Sequence, residues 1–294
     1  MHALVLAVGV LGCAAPLVPG EQVLGVEKVA AFTFGEPGDH LGASVAARGA
    51  AWLASAPGSN RTWRDGVAGD APSVWVGWWG ESEVLVNGAG HVTVDGELRF
   101  TVPGATGWAA SASGVVAATP EGLHFVDRAR VVPVEGLEAV ALGNERVLGL
   151  VCGPAGCEGQ AWSLEGVSLG PYAEGGEGGA VGEWDGRAWA GAPAWDVPEG
   201  PGEVCAEDGT CRAGLPGDHL GAAIGGGYTA GTFNKWTVPP RARFVPLDDG
   251  EVYSLESGAE LQPLALAGDD TLVIGAPYMP AHGEPSGAVV TVPR

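Results

Sequence analysis

The sequence predicts an all-β fold, a seven-bladed β-propeller, on three observations. The apolar residues fall in short runs closed by turns, one strand-turn-strand unit recurs about seven times, and an early strand has no partner except in the last unit. The chain of 294 residues is large enough for a substantial core and contains 51 Gly and 22 Pro, yet 46% of it is hydrophobic. Runs such as VWVGWW and TLVIGAP exclude a low-complexity reading and indicate many short strands joined by tight turns.

The repeat begins with PGDHLGA, which stands at 37–43 and again at 216–222. Two copies of GAP, at 191–193 and 275–277, close the similar strands RAWAGAP and TLVIGAP, with AWLASAP and VVAATP as earlier relatives. A small-residue segment and a turn precede each, as in LGASVAARG, WAASASG, GGAVGEWDG and PLALAGDD. Strand ends are expected near 57, 95, 120, 152, 193, 233 and 277, a mean spacing of about 37 residues. The second and third units are close, about 25 residues apart, which keeps six blades as the alternative. A unit of this size cannot bury both faces alone, and a ring of units can. Small residues suit inner strands that converge on an axis, and most of the eleven Trp are expected in the widening wedges between blades. The final unit, ending GAVVTVPR, is one strand short, and residues 27–34 (EKVAAFTF) are expected to complete it and close the ring.

The N-terminus reads as an export signal over 1–12, with Val10-Leu11-Gly12-Cys13 similar to a bacterial lipobox and Cys13 the lipidated residue; an ordinary secretory signal is the alternative. Residues 13–26 read as a tether and 27–294 as one propeller domain. The remaining cysteines form close pairs, and local hairpin disulfides Cys152–Cys157 and Cys205–Cys211 are expected, with zinc as the alternative. A net charge of −21 disfavours nucleic acid and anionic lipid, so membrane contact is expected only through the anchor.

The order GD-x-LG-x-(S/A)-(V/I), apolar-GAP, G-x-V resembles the FG-GAP repeat of integrin-α-like propellers. It is carried by Pro37 to Ala46, Pro216 to Gly225, Gly275 to Pro277 and Gly287 to Val290, strongly in units one, five, six and seven and faintly in two to four. PGDHLGA then reads as the turn leading from one blade into the inner strand of the next. Gly38 and Gly217 supply tight conformations, Asp39 and Asp218 cap amides, and Leu41 and Leu220 enter the core. The resemblance also implies calcium in the first hairpin of a repeat. The hairpin turns here offer no three spaced carboxylates, Asp185 or Asp269-Asp270 being the most, so no metal or other cofactor is expected.

No nucleophile elbow or zinc-protease helix is present, and His40 and His219 sit inside the repeated turns. Function is therefore expected in loops. Segments 58–73, 194–202, 234–243 and 278–286 are expected on one face, presenting Trp63, Trp195, Trp236 and Tyr278 with Arg61, Arg64, Lys235, Arg241 and Arg243 as a binding rim. The expected role is a monomeric, non-catalytic binding or scaffold protein of the cell envelope, taking an envelope protein or a glycan. The alternative is a carbohydrate-active hydrolase or lyase with a site at the axis.

Overall fold

The structure, a computed structural model, describes residues 21–24, 29, 31–194, 196–197, 199–232, 234, 240–256, 264–268, 270–281 and 284–293. Seven sheets stand in a ring, and a 3-10 turn at Val126–Arg128 is the one helical segment among the described residues. The innermost strands are Val45–Arg48, Trp75–Trp79, Gly107–Ser111, Leu137–Leu142, Val181–Trp184, Ala223–Gly225 and Ala265–Gly268. Each packs beside the next, and the seventh returns beside the first. The second strands end at Ala56, Val86, Thr119, Gly153, Ala192, Ala230 and Ala276. Only the second unit departs much from the expected spacing. His91–Val94, near the expected end at 95, is the third strand of blade two, so the tight interval vanishes and seven blades stand.

Closure follows the expected route. Ala31–Phe34 runs antiparallel to Ala288–Pro293, pairing Phe34 with Ala288 and Ala31 with Thr291. A second attachment was missed. Glu21–Val23 adds to blade six, parallel to Val252–Glu256, so part of the expected tether belongs to the fold. The chain thus holds the outer edges of both blade six and blade seven before entering blade one.

Each of the seven interfaces carries one hydrophobic cluster, for example Phe244, Leu255, Ile274 and Val290 between blades six and seven. The two motif halves of the repeat meet at these seams. A Cβ on Gly275 would overlap the carbonyl oxygen of Gly42, and a Cβ on Gly191 would overlap that of Gly221. Gly42 and Gly221 themselves have φ of 91° and 99°. The glycine of GAP in one blade therefore packs on the glycine of LG in the next, backbone on backbone. Near the axis, a Cβ on Gly182 would press on Ile224 and one on Gly225 would overlap Leu266.

A further repeated device binds the end of the third strand to the start of the second in blades one, two, three and five. Trp52 N–H donates to Asp65 Oδ1 at 2.8 Å, Glu83 N–H to Asp95 Oδ1 at 2.9 Å, Val115 N–H to Asp127 Oδ1 at 3.4 Å and Ala188 N–H to Glu207 Oε1 at 3.2 Å. The same acids close the loop through their own amides in blades one, two and five. Four carboxylates are thereby structural.

Two predictions follow from the seams and the N-terminal attachment. Gly275→Ala should destabilise the protein by about 1–3 kcal/mol in chemical denaturation, as an overpacked contact does, whereas Gly153→Ala, which meets no atom within 4 Å, should be neutral. Arg243→Met, which removes a guanidinium from between buried Glu21 and Asp218, should cost about 3–5 kcal/mol in the same measurement.

Candidate functional site

The two PGDHLGA segments lie where expected, each between the outermost strand of one blade and the inner strand of the next. Leu41 and Leu220 are fully buried and form single parallel bridges to Gly287 and Gly202. Asp39 accepts from Glu36 N–H at 2.9 Å, and Asp218 accepts from Leu215 N–H at 2.8 Å. The histidines reach back to the preceding blade. His40 stands edge-on to Tyr278 at 4.9 Å, just past the second GAP, and His219 Nδ1 lies 3.0 Å from the carbonyl oxygen of Pro193 in the first. Asp218 instead receives Arg243 Nη1 at 2.8 Å and Asn234 Nδ2 at 3.1 Å. These are seam fittings.

Of the four expected loop segments, 58–73 folds instead into strands Arg61–Arg64 and Val67–Gly69 of blade one, and 234–243 enters strand Arg241–Pro246 of blade six at its end. Trp63 therefore packs in the wedge with Leu41, Trp52 and Val289, Arg64 forks onto Glu83 of blade two, and Arg61 pairs with Glu36 at 3.5 Å. Arg241 and Arg243 are likewise strand residues, 5% and 9% exposed. Arg241 Nη2 meets Glu256 at 3.0 Å, and Arg243 Nε lies 3.4 Å from Glu21 of the N-terminal strand. Rim duty is thus withdrawn from Trp63 and Arg64, which strand alternation turns into opposite blade interfaces, and from Arg241 and Arg243, which are buried against carboxylates. Tyr278 is 41% exposed beside its loop. Trp195, Lys235 and Trp236, like Cys13, lie outside the described residues.

Beside the loop of blade five opens a trough of about 880 Å³. Its walls are the connection at Gly176 to Gly178 and the loop around Ala194 and Asp196, with Glu177 and Glu203 contributing the other charges. A neighbouring depression of about 870 Å³ surrounds the tip of the Cys152–Cys157 hairpin and adds Glu135, Glu158 and Glu174. No Lys or Arg lines either hollow among the described residues. Both expected disulfides are present, joining residues directly opposed across hairpins. Their sulfurs leave no thiolate for zinc, including where Glu138 or Glu203 approaches a pair.

On the axis runs a channel of about 450 Å³ bounded by all seven inner strands. Gly and Ala dominate the lining, and Trp75, Trp78, Trp108 and Trp184 border it while packing against the clusters between blades, where the wedge expectation put them. Its one carboxylate among the described residues, Glu183, accepts from Arg146 Nε at 2.9 Å. Arg146 also forks onto Glu207, both contacts at 2.8 Å. The paired carboxylates raise the guanidinium above its ordinary value, Glu207 contributing most. Arg146 in turn holds Glu207 below the ordinary 4.5. Burial pushes the Tyr172 hydroxyl up. Neither carboxylate is placed to act as a free acid or base.

Glu207 has a depressed folded value, so its stabilising contribution is complete above its unfolded value and lost as pH falls through the folded one. The difference in thermal midpoint between wild type and Glu207→Gln should therefore stay constant from pH 7 to about 5.5 and narrow below about 4.5.

No family model matches the chain, and no curated protein matches it. Solved structures are similar to it at low identity. The WD40 domain of coronin from Toxoplasma gondii is 10% identical, with a TM-score of 0.48 over 90% of this chain and 88% of that one. The WD40 β-propeller domain of Doa1 is 6% identical, with a TM-score of 0.44 over 90% and 96% of the two chains. The PQQ-bound aldose sugar dehydrogenase of Streptomyces coelicolor is 14% identical, with a TM-score of 0.44 over 90% and 96%.

Proposed function

We propose that this propeller is a non-catalytic binding module of the cell envelope, of the FG-GAP-like type, which takes a protein or glycan on its loop face. The observation that carries this reading is the open trough of about 880 Å³ beside the loop of blade five. Its position between a rigid hairpin and a long loop is where a scaffold can vary its contacts without disturbing the core. Trp195 stands in sequence between two residues of that wall, Ala194 and Asp196, and an indole there would add the side-chain type that dominates binding hot spots. Carboxylates and glycine backbone in the wall suit sugar hydroxyls or the basic side chains of a protein partner.

Export and a lipid anchor at Cys13 complete the proposal. The two disulfides support an oxidising compartment. Binding is favoured over axial hydrolysis because Glu183, the carboxylate lining the channel, is committed to Arg146.

Capture of envelope proteins and immobilised envelope glycans by the purified chain tests the reading. The Trp195→Ala/Trp236→Ala double variant should retain less than about a tenth of wild-type capture, the loss expected when hot-spot side chains are truncated. Asp196→Asn/Glu203→Gln should weaken it to a smaller degree. Equal capture by wild type and the indole double variant would remove the loop face from the account.

A further inference from the structure

Independently of the loop face, we infer that the axial channel is a binding site for a small neutral carbohydrate. Its volume of about 450 Å³ falls in the range of about 300–1,000 Å³ occupied by small-molecule sites. Three features of its wall define the ligand chemistry.

First, the wall is aromatic on one side. Trp75 and Trp108 come from adjacent inner strands, with ring centroids 6.4 Å apart and planes inclined by 33°. A Cβ on Gly77 would overlap the Trp75 indole, so glycine at 77 lets that ring lie against its own strand beside the channel. Second, the wall is polar all round without being charged. Every inner strand is the edge of its sheet, paired on one side only, and so turns a row of backbone N–H and C=O groups to the axis. Third, Glu183, the one carboxylate among the described lining residues, is held by Arg146, which also binds Glu207.

Aromatic faces favour a ligand with an apolar face, and unpaired backbone groups favour one rich in hydroxyls. Among the described lining residues there is no cation and Glu183 is already held by Arg146, so a charged sugar would lose its hydration without a free partner, which selects against carboxylate and amino sugars. A pyranose combines C–H faces with peripheral hydroxyls and meets all three conditions.

The test uses the full chain labelled with 5-fluorotryptophan, its Trp75 and Trp108 resonances assigned with Trp75→Phe and Trp108→Phe. Methyl glucoside, cellobiose, glucuronate, glucosamine and benzyl alcohol are titrated and followed by fluorine NMR and calorimetry. A neutral sugar should shift the Trp75 and Trp108 resonances of the wild type. It should bind at least tenfold more weakly to Trp75→Ala and Trp108→Ala, and equally well to the Trp195→Ala/Trp236→Ala variant. Should the alanine variants misfold, the resonance shifts in labelled wild type decide the matter alone. No shift with either neutral sugar, or stronger binding of glucuronate, glucosamine or benzyl alcohol, would overturn the assignment.

Discussion

The structure depends on how closely neighbouring blades can approach one another. Where Gly275 meets Gly42 and Gly191 meets Gly221, main chain packs on main chain, and any side chain at these points would hold the blades apart. The same requirement recurs near the axis at Gly182 and Gly225. Close packing transmits such a displacement through the whole interface, and in a ring it cannot be released at a free end. Part of the high glycine content therefore follows from closing a ring of seven short sheets, while other glycines hold positive φ in the turns between strands.

The ring also determines how the few cations are used. Arg48, Arg64, Arg128, Arg130, Arg146 and Arg212 each reach from one blade to the next, ending on a carboxylate or a carbonyl oxygen. Arg243 joins blade six to the connection before it and to the N-terminal strand. Exposed pairs of this kind contribute little individually, whereas the buried Glu21, Asp218 and Arg243 group depends on every member. With so many guanidinium groups committed to seams, the charged side chains that line the hollows around blades four and five are, among the described residues, all carboxylates. A net charge of −21 is thus spread unevenly, and the uneven part coincides with the proposed binding surface.

Much of the architecture was legible because the seam imposes residues that recur in order. GD-x-LG and GAP are the two sides of one contact, so each copy marks a blade boundary even without a structure. Blades two to four lack this pair of signatures, and in the second unit a third strand was accordingly read as a second. The acids at 65, 95, 127 and 207 recur at equivalent turns and could have placed that unit. They were passed over because carboxylates are abundant in the chain. The misplaced rim residues have a different cause. TWRDG reads as a polar loop by composition, but its residues alternate between two interfaces once paired with Leu53 to Ala56.

The sequence by itself determined the class of fold, the number of blades within one, the route of closure and both disulfides. All of these are set by local turns and by residues that repeat at regular separation. Only the tertiary structure decided which side of each strand faces a neighbour, that four indoles border the axial channel, that Arg241 and Arg243 are buried, and that residues 21–23 belong to blade six. Those outcomes depend on contacts between segments distant in the chain, whose partners no local pattern specifies.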